Sequence, residues 1–320
     1  MSHPPLPIPP EALPERVRVA LVQAAPVFLD RDRSLRLARR LIELAADEGA
    51  RLVAFPETWL AGYPIWLDVS PGAARWDDAG AKALYRLLQE NAVEWGDEHT
   101  AMLAEAAEEC AVDVVIGAHE RVGRTLMNSV FLFGAHGAAT LHRKLVPTHG
   151  ERLVWGMAET AMLAPLPSDY GGISALVCWE HWMPELRAAV HRKGALVHVA
   201  QWPWVKEMNR VASRHFAFEG RCFVLAVGAA MTRGAALEAV RSRRGVPAPA
   251  LEMLETMPGA DDDWLLAGGS TVFGPDGAPL AGPAGRGEEL LGVDLPLKAA
   301  VEEIMTLDVA GHYARPDIFS

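Results

Sequence analysis

The run ISALVC at Ile173–Cys178 is apolar, of strand length, and ends on a cysteine. Trp179–Trp182 (WEHW) follows, then Met183-Pro184, where proline suits the first turn of a helix. A buried strand feeding a helix through a few polar and aromatic residues is the junction that most restricts this chain. It demands a sheet with helices laid over it. Similar apolar runs recur at Val17–Ala24 (VRVALVQA) and Arg51–Phe55 (RLVAF), each short enough for a buried strand.

Between them, Asp30–Gly49 reads as an amphipathic helix. Leu35, Ala38, Leu41, Ile42 and Ala45 share one face, and Gly49 is the stop. Helix is expected over Lys82–Cys110, Pro184–Lys193 and Asn209–Arg221. Strands are expected at Val112–His119, Thr125–Phe133, Ala195–Ala200 and Phe223–Gly228. Gly269–Phe273 and Leu290–Asp294 flank the turn GPDG and suggest a hairpin. Arg233–Asp263 is the least regular stretch, read as a surface excursion, either a lid or an inert insertion. Helices and strands alternate early and strands dominate late, which favours layered α/β. Residues 1–16 form a proline-rich, extended leader in this reading, and 17–320 one domain.

Composition narrows the function. Half of the 320 residues are apolar, as in a globular chain. No apolar run approaches the roughly 18 residues that span a bilayer, and MSHPPLPIPP lacks the parts of a signal peptide. A net charge of -11 argues against nucleic acid and anionic membrane as partners. Three scattered cysteines make no disulfide framework and no Cys-x-x-Cys pair, so a reducing compartment, the cytoplasm, is expected.

Cys178 stands where α/β proteins place sites, at a strand end. It is expected to be exposed at a sheet edge, with helix N–H groups lowering its pKa. A lone cysteine is otherwise a buried structural residue. Glu57, inside FPETWLAGYP, ends another apolar run; desolvation there would raise its pKa and suit it to general-base work, whereas by itself it reads as a capping or surface glutamate. Lys144, in LHRKLVP, is either a solvated edge lysine or a cation for an anionic intermediate. His119, Glu120, His136 and His142 match no zinc spacing, and Cys178 with His181 on one turn has poor geometry for a Cys–His dyad.

Three blocks in order carry a likeness: FPETWLAGYPIWLD (Phe55–Asp68), HRKLVPTHGERLVWG (His142–Gly156) and CWEHWMPELR (Cys178–Arg187). HVAQWP, HFAFEGRCFVLAVG, GGSTVFGPDGAPLAGP and GHYARPDIF agree with them. From about Arg18 to Phe319 the chain resembles the nitrilase branch of the nitrilase superfamily. The resemblance implies a four-layer α-β-β-α sandwich that dimerises through helix faces. It implies a Glu–Lys–Cys triad on Glu57, Lys144 and Cys178, and a second glutamate, Glu151, orienting Lys144 and substrate. The implied reaction is hydrolysis of an organic nitrile to acid and ammonia through a thioimidate and a thioester, with no metal or organic cofactor. Amidase or carbamoylase activity and cyanide hydration are the alternatives within the superfamily, and a binding scaffold without chemistry is the alternative outside it.

Trp59, Tyr63, Trp179, His181 and Trp202 are the candidates for substrate contact, with core filling as the other role for the tryptophans. Members of the branch often have Asn or another residue where this chain has His181, and aromatic residues vary at Trp182. Many relatives continue past GHYARPDIF, so a chain ending at Ser320 is expected to form dimers or short oligomers.

Overall fold

The computed structural model describes residues 8–315, 317 and 318. Of the expected leader, 1–7 lie outside the described residues. In the remainder, Pro10–Ala12 makes one 3-10 turn and Leu13 is buried in the core.

Two six-stranded sheets face each other. The first runs Glu289–Leu295, Val17–Gln23, Leu52–Ala54, Asp113–Val122, Thr125–Phe133, Ala139–Arg143, with Val17–Gln23, Leu52–Ala54 and Asp113–Val122 mutually parallel and the other pairings antiparallel. The second runs Pro279–Ala281, Thr271–Phe273, Phe223–Val227, Val197–Gln201, Gly171–Val177, Leu166–Ser168, with the three strands from Gly171 to Val227 parallel.

The alternation of side chains along each strand builds the layers. In Val17–Gln23, Val17, Val19 and Leu21 point into the core shared with the second sheet, while Ala20 and Val22 point to the helices. Those helices are Arg31–Asp47 and Glu98–Glu109, whose Leu35, Ala38, Ile42, Ala45, Leu103 and Ala106 pack on the outer face of the first sheet. On the outer face of the second sheet, Pro184–His191 and Glu207–Gly220 bury Leu186, Val190, Ala212 and Phe216. The result is the expected α-β-β-α sandwich. Asp30 caps the first helix by accepting from Arg33 N, and Gly49 (φ 85°) ends it.

Three local expectations are corrected. Lys82–Cys110 is two helices, Ala79–Glu90 and Glu98–Glu109, because Gly96 turns the chain and Asp97 caps a new start at His99 N and Thr100 N. The turn GPDG joins Thr271–Phe273 to Pro279–Ala281; Glu289–Leu295 crosses to the other sheet and pairs with Val17–Gln23. Arg233–Asp263 is not the irregular surface excursion expected. It forms helices Arg233–Arg241 and Ala248–Glu255, with Leu237, Val240 and Leu254 fully buried in a third core cluster. Their helical spacing was hidden by the surrounding prolines and charges. Among the described residues, no helix is long and apolar enough to cross a membrane.

Candidate active site

Cys178 directly follows strand Gly171–Val177 and opens a 3-10 turn, Cys178–Trp182, that leads into helix Pro184–His191. Its φ of 54° is left-handed, a conformation that favours glycine and is held here by its surroundings. The expected edge position is corrected: the strand lies inside its sheet, and Cys178 is buried. The expected lowering of its pKa is corrected too. Burial pushes the thiol well above its usual value, and the charge of Glu57 adds to this. Lys144 and the hydrogen bond from Trp179 N–H pull the other way without prevailing. The resting sulfur is a thiol that needs a base.

A candidate base is within reach. Sγ of Cys178 and one carboxylate oxygen each of Glu57 and Glu151 lie within 4.8 Å of one another. Glu57 follows strand Leu52–Ala54 by three residues, and its Oε1 accepts from Asn128 Nδ2 at 2.7 Å and Lys144 Nζ at 3.0 Å. Its Oε2 is buried and, among the described residues, has no partner, so it is open to a proton. Burial, partly offset by Lys144, raises Glu57 to about 7, where a carboxylate both takes and returns protons at neutral pH.

Lys144 is buried just beyond strand Ala139–Arg143 and spans the two glutamates, 3.0 Å from Glu57 and 2.7 Å from Glu151 Oε2. Burial opposes its charge, but Glu57, Cys178 and Glu151 together hold its pKa above the ordinary value. Its ammonium lies between these two carboxylates. Glu151 is itself fixed by the N–H of Thr148, which its Oε2 accepts at 2.7 Å, and by Tyr63 Oη, which donates to Oε1 at 3.2 Å.

A nucleophile, a desolvated base and a buried cation in one cluster are equipped to add a thiol across a polar carbon–nitrogen bond. Residues 18–302 match the family model described as carbon-nitrogen hydrolase. The chain belongs to the carbon-nitrogen hydrolase family. This hydrolase is 35% identical over 306 residues to a bifunctional nitrilase/nitrile hydratase of Lupinus angustifolius, covering 95% of this chain and 85% of that one. It is 36% identical over 308 residues to a nitrilase of Bradyrhizobium diazoefficiens, covering 96% and 91%. Among solved structures it is similar in fold to a carbon-nitrogen hydrolase from Helicobacter pylori, with a TM-score of 0.71, 18% identity, and coverage of 95% and 97%.

The residues expected to touch substrate divide in the hydrolase. Tyr63 reaches Glu151 and packs near Trp155, whose ring faces Lys144 Nζ at 6.0 Å. Trp59 packs on Phe55 in the helix-facing core and donates to Ala24 O. Trp202 is buried and donates to Ser213 Oγ. Trp179 turns its ring to solvent and offers the site only its backbone. His181 faces the core, bonding the carbonyl of Cys178 rather than its sulfur. His119, His136 and His142 are dispersed, on Gly62 O, Asp169 and Glu180 respectively.

Sequence reasoning missed three contributors. Asn128 orients Glu57. Glu180 accepts from Val177 N and Leu145 N, both at 2.9 Å, and so ties the residue before Cys178 to the residue after Lys144. Gly117 leaves room for the backbone of Pro56–Thr58, which passes within 2.6 Å of where a Cβ would sit. Only Glu180 left a signal, its place in the Cys-Trp-Glu motif.

Proposed function

We propose that this carbon-nitrogen hydrolase is a nitrilase that converts an organic nitrile and water to a carboxylic acid and ammonia. The observation that carries the reading is Lys144 locked between Glu57 and Glu151 beside Cys178, with Glu57 Oε2 free. Glu57 takes the thiol proton as Sγ bonds to the nitrile carbon, and returns it to the nitrogen to give a thioimidate. Lys144 and the N–H of Trp179 stabilise the negative charge. Glu57 then takes a proton from water, which adds to the thioimidate carbon. Departure of ammonia leaves a thioester. A second water cleaves it, releasing the acid and restoring the thiol. If the tetrahedral intermediate expels sulfur instead of ammonia, the product is the amide.

The test is ammonia, acid and amide formation from phenylacetonitrile, benzonitrile, 3-phenylpropionitrile, fumaronitrile and cyanide, each beside its amide and beside Cys178→Ala. Acid formed from nitriles only when Cys178 is present supports the reading. Cleavage of amides with nitriles untouched moves the same site to amidase chemistry.

Assembly as a homodimer or higher homo-oligomer and a cytoplasmic location belong to the same proposal. Met208, Val211 and Phe218 are exposed along one face of helix Glu207–Gly220, which supports helix-face packing. Three free cysteines fit a reducing compartment.

A further inference from the structure

Behind the nucleophile lies a row of buried polar side chains that the reaction does not consume. His181 Nδ1 lies 2.7 Å from the carbonyl oxygen of Cys178. A carbonyl only accepts, so Nδ1 carries the proton and Nε2 of the neutral ring is bare. That bare nitrogen faces His198 Nε2 at 3.0 Å, so His198 is protonated on Nε2 and bare on Nδ1. His198 Nδ1 lies 2.8 Å from Ser174 Oγ, whose hydroxyl donates to it. Every hydrogen in the row is assigned, and all point one way, from Ser174 through His198 and His181 to Cys178 O. The arrangement needs neutral rings, which burial provides: it pushes His181 down to about 4 and His198 well below the ordinary histidine range. Aromatic neighbours clamp both rings, with Phe216 stacked on His198 at 3.9 Å and Trp202 against His181 at 5.0 Å.

The oxygen that His181 holds belongs to the Cys178–Trp179 peptide. In a planar trans peptide the C=O and N–H point in opposite directions. Pinning the oxygen on the histidine side therefore turns Trp179 N–H to the opposite side of the peptide, away from His181. We propose that His181, braced by His198 and Ser174, is a positioning residue that aims the N–H of Trp179 at the charge developing on sulfur and substrate. Both ring nitrogens of His181 are engaged, so it acts through the peptide and not as a base. The inference deepens the proposed nitrile hydrolysis at Cys178 and rests on it for the substrate.

The experiment compares the parent with His181→Phe, which keeps the ring and removes the donor, and with His198→Leu and His198→Gln. Thermal unfolding is recorded for each. Loss of an aimed donor is expected to lower kcat on a turned-over nitrile by about ten- to a hundredfold in His181→Phe, with KM little changed. The pH midpoint for alkylation of Cys178 by iodoacetamide should rise, because the N–H is no longer held on the side away from His181, toward the thiolate. His198→Leu should move both readings the same way, and His198→Gln, which has a donor and an acceptor, should recover most of the loss. A folded His181→Phe with kcat within about twofold of the parent and an unmoved alkylation profile overturns the proposal. If His181→Phe does not fold, equal kcat and alkylation profiles in the two His198 variants overturn it. Alkylation needs no nitrile, so it reports on the positioning even if the parent turns none over.

Discussion

Asn128 donates to Glu57 Oε1 at 2.7 Å, the same oxygen that Lys144 holds at 3.0 Å. Both donors thus sit on one oxygen, and the other has no partner among the described residues. The bond from Asn128 favours the charged carboxylate, so losing it raises a pKa that burial already brings to about 7. In the proposed reaction Glu57 is a base, and a base works above its pKa. In the parent, kcat/KM should climb with pH through about 7, and in Asn128→Leu the climb should move to higher pH. Rates between about pH 5 and 9 check this. An unmoved limb would assign the titration to another group.

Lys144 and Glu151 should behave as one unit. Glu151→Gln keeps the shape but weakens the hold on the ammonium, and is expected to lower kcat by about a hundredfold or more. Lys144→Ala should cost at least as much. The double variant should be no slower than Lys144→Ala alone, since each change disables the same cluster. Multiplying losses would show that Glu151 acts independently of Lys144.

Gly117 is a steric requirement of the site. A Cβ there would lie 2.3 Å from Thr58 N and 2.6 Å from Pro56 O, both backbone atoms beside Glu57. Gly117→Ala must therefore displace the segment that carries the base, with an overpacking cost of about 1–3 kcal/mol. Denaturant midpoint and kcat should fall together. Gly285, with nothing within 4 Å of a built Cβ, serves as the control, and its alanine variant should match the parent.

Glu219 links helices Pro184–His191 and Glu207–Gly220 by accepting from Arg187 Nε at 2.8 Å and His191 Nε2 at 3.1 Å. Burial works against its charge, yet the hydrogen bonds from His191 and Arg187 outweigh it and bring Glu219 down to about 2 from 4.5. A depressed carboxylate stabilises the fold above its unfolded pKa and loses that contribution as pH falls through the folded one. Glu219→Gln should lower Tm at neutral pH, with the gap closing between pH 4.5 and about 2. A gap of equal size at both ends would point to packing instead of charge.

The layered α/β class was legible where periodicity was strong, and the four-layer sandwich through the family resemblance alone. Leu35, Ala38, Ile42 and Ala45 state a helix face, and ISALVC states a strand. Legibility failed where long-range partners decide. Leu290 lies close to the GPDG turn in the chain, but its strand pairs with Val17–Gln23 in the opposite sheet, which no local pattern encodes. The helices of Arg233–Asp263 were obscured because Pro247 and Pro249 read as breakers, although proline is tolerated in a first helical turn. Trp59 and Trp202 lie close to catalytic motifs in the chain and point into the core, since proximity along a chain does not set side-chain direction.

By itself the sequence determined the layered α/β class, because apolar periodicity is a local property, and through its resemblance to a known family it pointed to Glu57, Lys144, Glu151 and Cys178. Only the tertiary structure decided that the thiol is buried and protonated at rest, that Glu57 has one free oxygen, and that His181 faces away from the sulfur. Those facts depend on desolvation and on hydrogen bonds between groups such as Asn128 and Glu57, 71 residues apart, and such groups meet only when the sheets pack.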